Sequence, residues 1–92
     1  MNLENLIKDI DNVDKSLVIY QKDVLDINSD IELFSSDEVV TNLVTKNGIE
    51  YHYLIEVSIA QDFLSSWQET LSYTLTDKEM ATRLFEYGIN DG

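Results

Sequence analysis

Ninety-two residues, 43% of them hydrophobic, are enough for one domain with a modest core, and the apolar residues are spread too evenly for a disordered acidic tail. Eighteen Asp and Glu against six Lys and Arg give a net charge of −12. That balance excludes the clustered cations that nucleic acid and anionic membranes reward, so direct binding to either is not expected. Cysteine is absent, which removes disulfides, thiolate metal sites and thiol nucleophiles.

In chain order, Leu3, Leu6, Ile7, Ile10 and Val13 recur at helical spacing and predict an amphipathic first helix with Asn2 as its N-cap. Residues 16–22 are rich in β-branched and aromatic side chains and predict a strand. Residues 23–37 alternate only weakly through Val24, Ile27, Ile31 and Leu33, around a turn cluster at Asn28-Ser29-Asp30, and are assigned no strand.

Asn47-Gly48 is the clearest local signal, a type I′ hairpin turn between strands over 39–46 and 49–57. In that register Val44 faces Tyr51 and Val40 faces Ile55. Tyr51, Tyr53, Ile55 and Val57 then line one face, and Leu43, His52 and Leu54 the other. Residues 36–46 also fit a helix, since Val39, Val40, Leu43 and Val44 have helical spacing and Ser35-Ser36-Asp37-Glu38 resembles a capping box. The β-branched content of 39–45 and the Asn-Gly turn favour the strand.

Two helices close the chain. Ser58-Ile-Ala-Gln61 has capping-box spacing and precedes Ile59, Phe63, Leu64, Trp67 and Leu71 on one stripe. Thr76-Asp-Lys-Glu79 is a second such box, before Met80, Leu84 and Phe85, and Gly88 is placed to end that helix. The expectation is one α+β domain over residues 1–92. It comprises an N-terminal helix, a three-stranded antiparallel sheet and two C-terminal helices packed on one face.

Signals for chemistry are weak. His52 is the one histidine, so no histidine triad or multi-histidine metal site exists within one chain. Asp26, Asn28 and Asp30 match positions 1, 3 and 5 of a calcium loop with Asp37 at position 12. Ile31 replaces the turn glycine, however, and the bidentate Glu is missing. No pair among eighteen carboxylates is singled out for acid–base work, which needs a cleft to raise one carboxyl pKa. The chain is expected to have no catalytic residues, no cofactor and no metal. Phe63, Trp67 and the tyrosines at strand spacing are expected in the core.

What stands out is the placement of acids at element ends, where a scaffold holds exposed side chains. Asp11 and Asp14 end the first helix, Asn47 and Glu50 mark the hairpin, and Asp77 and Glu79 start the last helix. For Asp77 and Glu79 the plain alternative is that they favour a helix N-terminus. A rigid set of carboxylates can imitate a short stretch of DNA backbone, one charge per about 1.7 Å.

The sequence resembles the small acidic phage-encoded type II-A anti-CRISPR proteins, which inhibit Cas9 by imitating PAM-containing DNA. The resemblance is carried by the opening MNLENLIKDI with Asp14 following, and by Asn47-Gly48-Ile49-Glu50-Tyr51. It continues in Ile59-Ala-Gln-Asp-Phe63-Leu-Ser-Ser-Trp67 leading to Thr76-Asp77-Lys78-Glu79. It implies an α-βββ-αα fold, a guide-RNA-loaded Cas9 as partner, and expression in the bacterial cytoplasm from a phage or mobile element. It also implies contacts from Asp14, Glu50 and Asp77. Asn47 stands where that family has an Asp, and Lys78 replaces an acid; a lysine there would face a basic pocket unfavourably, which allows a different Cas9 surface or ortholog. Two other functions fit the acidity: an immunity protein or antitoxin plugging a basic nuclease toxin, and a phage structural or assembly protein. The opening MNLENLIKDI carries acids where a secretory signal needs positive charge, and no apolar run spans a bilayer, so a cytoplasmic protein without membrane contact is expected.

Overall fold

The computed structural model describes residues 1–23, 26–37 and 41–91, with Asn90 and Asp91 described by backbone alone. Helix α1 covers Leu3–Ile7, shorter than the apolar spacing predicts, and a separate 3-10 turn over Ile10–Asn12 carries Ile10. The tighter turn lets Ile10 join Leu3, Leu6 and Ile7 in the core before the chain turns into the sheet. Asn2 caps α1 as predicted. Its side chain accepts from the Asn5 N–H at 3.0 Å, and the Asn5 side chain accepts from the Asn2 N–H at 3.2 Å.

The sheet is antiparallel, as expected, but has four strands rather than three. They are β1 (Leu17–Gln21), β2 (Ile31–Ser35), β3 (Leu43–Lys46) and β4 (Ile49–Glu56), in the order β2-β1-β4-β3. The additional strand is β2, in the stretch assigned no strand. Ile31 and Leu33 reach the helix side and Phe34 the opposite face. That period lasts too few residues to stand out in sequence. Pairing with β1, from Leu17 opposite Ser35 to Gln21 opposite Ile31, holds it. Strand 39–46 is observed from Leu43 onward; Val39, Val40 and the Val40–Ile55 pairing lie outside the described residues.

Val44 opposes Tyr51 and Leu43 opposes His52, in the predicted register. The turn is made by Asn47 at φ 53° and Gly48 at φ 79°, the two left-handed positions that Asn-Gly supplies. The predicted faces of β4 do not hold along its length. Ile19 pairs with Ile55 whereas Tyr20 pairs with Tyr53, so Leu54 is an extra, bulged residue. The bulge inverts the alternation. Tyr51 and Tyr53 stay on one face, while Leu54 and Ile55 both enter the helix-side core with Val57.

Helix α2 (Val57–Glu69) starts directly from β4, one residue before the predicted cap. Ser58 therefore falls inside the first turn and its capping box does not form. Gln61 turns inward instead, donating from Nε2 to the carbonyls of Ile10 at 2.7 Å and Val13 at 3.0 Å. Helix α3 (Asp77–Asp91) begins with the predicted box: the Glu79 N–H donates to Thr76 Oγ1, and the Thr76 N–H to Glu79 Oε1. Gly88 does not end α3. It lies buried within the helix, where a Cβ would fall 2.7 Å from Leu54 Cδ1 and 3.1 Å from the Leu54 carbonyl oxygen. A side chain there would press on Leu54, so glycine suits the close approach of α3 to β4.

The main core joins all three helices to one face of the sheet, through Leu3, Ile19, Leu54, Val57, Leu64 and Leu84. The helix arrangement differs from a C-terminal pair laid on the sheet. Helix α1 packs chiefly on α3, and α2 and α3 run antiparallel, with Phe63 stacked on Tyr87. A smaller core occupies the other face. Val18, Tyr20 and Tyr51 are buried there, and Tyr20 meets Phe34 and Tyr53 edge-on. Lys46 on one edge strand pairs with Glu32 on the other. Flat edges three strand spacings apart would lie about 14 Å from each other, so the sheet curls around this face.

Candidate acidic interface

Asp11 and Asp14 come together on the link from α1 to β1. The Asp14 carboxylate accepts from the Ser16 N–H at 2.8 Å and from Ser16 Oγ at 2.9 Å, and these bonds lower its pKa below the ordinary value of 3.8. The same bonds fix the direction of an exposed carboxylate. Asp11 is exposed on the 3-10 turn. Both stand on a segment that Gln61 ties to α2 through two carbonyls, so the link is anchored, not loose. Gln61 is the residue that sequence reasoning misses. Its spacing from Ser58 reads as a cap, and nothing local shows it buried.

Asn47 and Glu50 come together at the hairpin. Asn47 shapes the turn, and Glu50 is exposed on β4 opposite Thr45. The hairpin's own cation, Lys46, is engaged by Glu32. That hydrogen bond and charge raise its pKa above 10.5.

At the third position the plain helix-capping reading holds for Glu79. Its carboxylate is turned back onto Thr76, accepting from the N–H at 3.2 Å and from Oγ1 at 3.0 Å. Asp77, half-buried, and Lys78, exposed, occupy the first turn of α3 beside it. An acid engaged in its own cap is less free to meet a partner than Glu50.

The first two groups stay apart. In the antiparallel β1–β4 pair, Val18 opposes Glu56 and Gln21 opposes His52, so the Asp14 turn belongs to the Glu56 end. Glu50 lies six residues further along β4, about 20 Å away. The molecule measures 44 × 25 × 22 Å, and these two groups of acids lie toward opposite ends of the β1–β4 pair. None of the described acidic side chains is buried: Glu4, Glu32 and Asp77 are half-buried and the others exposed. Among the described residues, ion pairs engage Asp30, 3.7 Å from the chain's amino terminus, and Glu32 with Lys46.

The calcium-like stretch forms a turn. Asp26 Oδ1 accepts from the Asn28 N–H at 2.9 Å, and no group of three or more ligating side chains forms among the described residues. His52 is half-buried on β4 opposite Leu43. Burial raises the pKa of Tyr20 and of Tyr53, the latter also through the charge of Glu56. Trp67 and Phe63, expected in the core, are half-buried at its margin. No helix among the described residues is long and apolar enough to cross a membrane. The chain matches no protein-family model, no curated protein and no solved structure.

Proposed function

We propose that this chain inhibits Cas9, binding the guide-loaded nuclease as an acidic stand-in for DNA and keeping PAM-bearing target from its groove. One observation supports this above others: a net charge of −12 with none of the described carboxylates buried. A basic groove that normally holds phosphates gains favourable charge contacts along the whole length of such a surface. The 44 Å long axis equals about 13 base pairs of duplex, and acids on both ends of the sheet suit an extended groove better than a single socket. Asp14 is oriented by Ser16 before binding, so little of its side-chain freedom is lost on contact, and Glu50 is carried on the paired backbone of β4. The resemblance to type II-A anti-CRISPR proteins in the opening helix, the hairpin and the last two helices names the partner.

A guide-programmed cleavage assay tests it. Adding the protein to several type II-A Cas9 orthologs before target DNA is expected to suppress cleavage by at least one. Undiminished cleavage by all of them contradicts the proposal.

A further inference from the structure

Asn47 is the one asparagine of the chain followed by glycine. Elsewhere the next residue is Leu, Val, Ser or Asp, whose side chain crowds the peptide nitrogen, and Gly48 lacks that bulk. The surroundings are equally open: Asn47 and Gly48 are both exposed, and a Cβ added at Gly48 would meet nothing within 4 Å. Among the described residues no hydrogen bond engages the Asn47 side chain. The Gly48 N–H, between the paired Lys46 and Ile49, likewise meets no acceptor among them. Other asparagines contrast. The Asn2 and Asn5 side chains each accept from the other's N–H, and Asn12 Nδ2 donates to Asp9. After Asn28, the Ser29 N–H donates to the Asp26 carbonyl at 3.0 Å.

An unhindered Asn-Gly pair can react with itself, since asparagine is among the labile side chains. The Gly48 nitrogen attacks the Asn47 Cγ carbon, gives its proton to solvent and expels the side-chain amide as ammonia, closing a five-membered succinimide ring. Water then opens the ring at one of its two carbonyls. Cleavage of the new N–Cγ bond gives aspartate, and cleavage of the original main-chain bond gives isoaspartate, with the chain routed through the side chain. One water enters, one ammonia leaves, and no oxidation state changes. The closed hairpin opposes the first step, because the nitrogen must rotate about the Asn47 Cα–C bond, out of the turn, to reach Cγ. That restraint is light. Strand β3 is a four-residue, largely exposed edge strand paired only with β4, a segment that opens locally at small cost. We propose that Asn47-Gly48 is a self-modification site, where the folded chain converts Asn47 to aspartate and isoaspartate and adds one carboxylate to the hairpin that carries Glu50. The new carboxyl is ionised at neutral pH, so the net charge moves one unit beyond −12. The aspartate form keeps the turn, since Asp-Gly also supplies it. Isoaspartate adds a backbone carbon to a two-residue turn and disturbs the Lys46–Ile49 pairing. The consequence for binding rests on the partnership proposed above; the modification itself does not.

The full chain is incubated at mildly alkaline pH beside a sample unfolded in urea, and read by intact mass and by isoaspartyl methyltransferase labelling. The folded chain is expected to gain the mass of an NH2-to-OH exchange, mapped to residue 47, with isoaspartate as the mark of the ring. Conversion is expected to speed up as pH rises, because the attacking nitrogen must lose its proton. Asn47→Gly keeps the turn, Gly-Gly being a favoured pair there, and is expected to abolish both signals. Circular dichroism checks that its fold persists. A folded chain that keeps its starting mass over the time the unfolded sample converts, or an Asn47→Gly chain that converts equally, overturns the site. Cas9 separates the site from the wider proposal. Asn47→Asp is expected to displace PAM-bearing duplex from guide-loaded Cas9 about threefold more effectively than Asn47→Gly, as for one added exposed ion pair. Equal potency of the two overturns the role in binding. Conversion at Asn47 in a chain that inhibits no Cas9 supports the site and contradicts the Cas9 partnership.

Discussion

Gly88 and Glu79 illustrate how a single residue's role depends on what it faces. An interior helical glycine ordinarily costs about 1 kcal/mol relative to alanine. At Gly88 the balance reverses, because an added methyl would press on Leu54, itself fully buried, and on its carbonyl oxygen. Overpacking of this kind costs about 1–3 kcal/mol. Gly88→Ala is therefore expected to lower stability by about 1 kcal/mol or more in urea denaturation, and a gain would contradict the close approach of α3 to β4. Sequence alone makes Gly88 a helix stop, since the strand it touches lies 34 positions earlier. Glu79, by contrast, is legible: its partner Thr76 is three residues away, and both halves of the box form. Ser58 and Gln61 have the same spacing and fail, because β4 feeds α2 without a loop and the helix begins before Ser58.

Elements follow the same division between local and distant causes. The Asn47-Gly48 hairpin, β1 and the last two helices are readable because short-range chemistry dictates them. Strand β2 and the Leu54 bulge are set by pairing with β1, which no neighbouring residue announces. The candidate interface divides likewise: the exposed acids are visible in the sequence, while the anchor that steadies Asp11 and Asp14 is not. Gln61 is buried and satisfies two carbonyls of the α1–β1 link. Gln61→Ala takes its donor from the Val13 carbonyl, while the Ile10 carbonyl still accepts from the Val13 N–H, and is expected to cost about 1–3 kcal/mol in urea denaturation. If stability is unchanged, the link is not held from α2.

At the scale of the whole molecule, charge dominates. A surface carrying −12 repels itself, and a sheet only four strands wide with three helices must hold the acids against that repulsion. The curl of the sheet, the Lys46–Glu32 pair across it and the Gln61 anchor keep the acid-bearing segments in fixed relation. In the proposed complex, acids at both ends of the β1–β4 pair would make binding a sum of several modest contacts. Each exposed contact weakens as salt rises, since the Debye length falls from about 30 Å at 0.01 M to about 8 Å at 0.15 M. The most direct test is displacement of a fluorescent PAM-bearing duplex from guide-loaded Cas9, read by anisotropy across a salt series. Full displacement is expected at low salt and steep loss as salt increases, with strong weakening in Asp14→Asn/Glu50→Gln/Asp77→Asn. DNA that stays bound at saturating protein, or displacement untouched by removing all three charges, would contradict it.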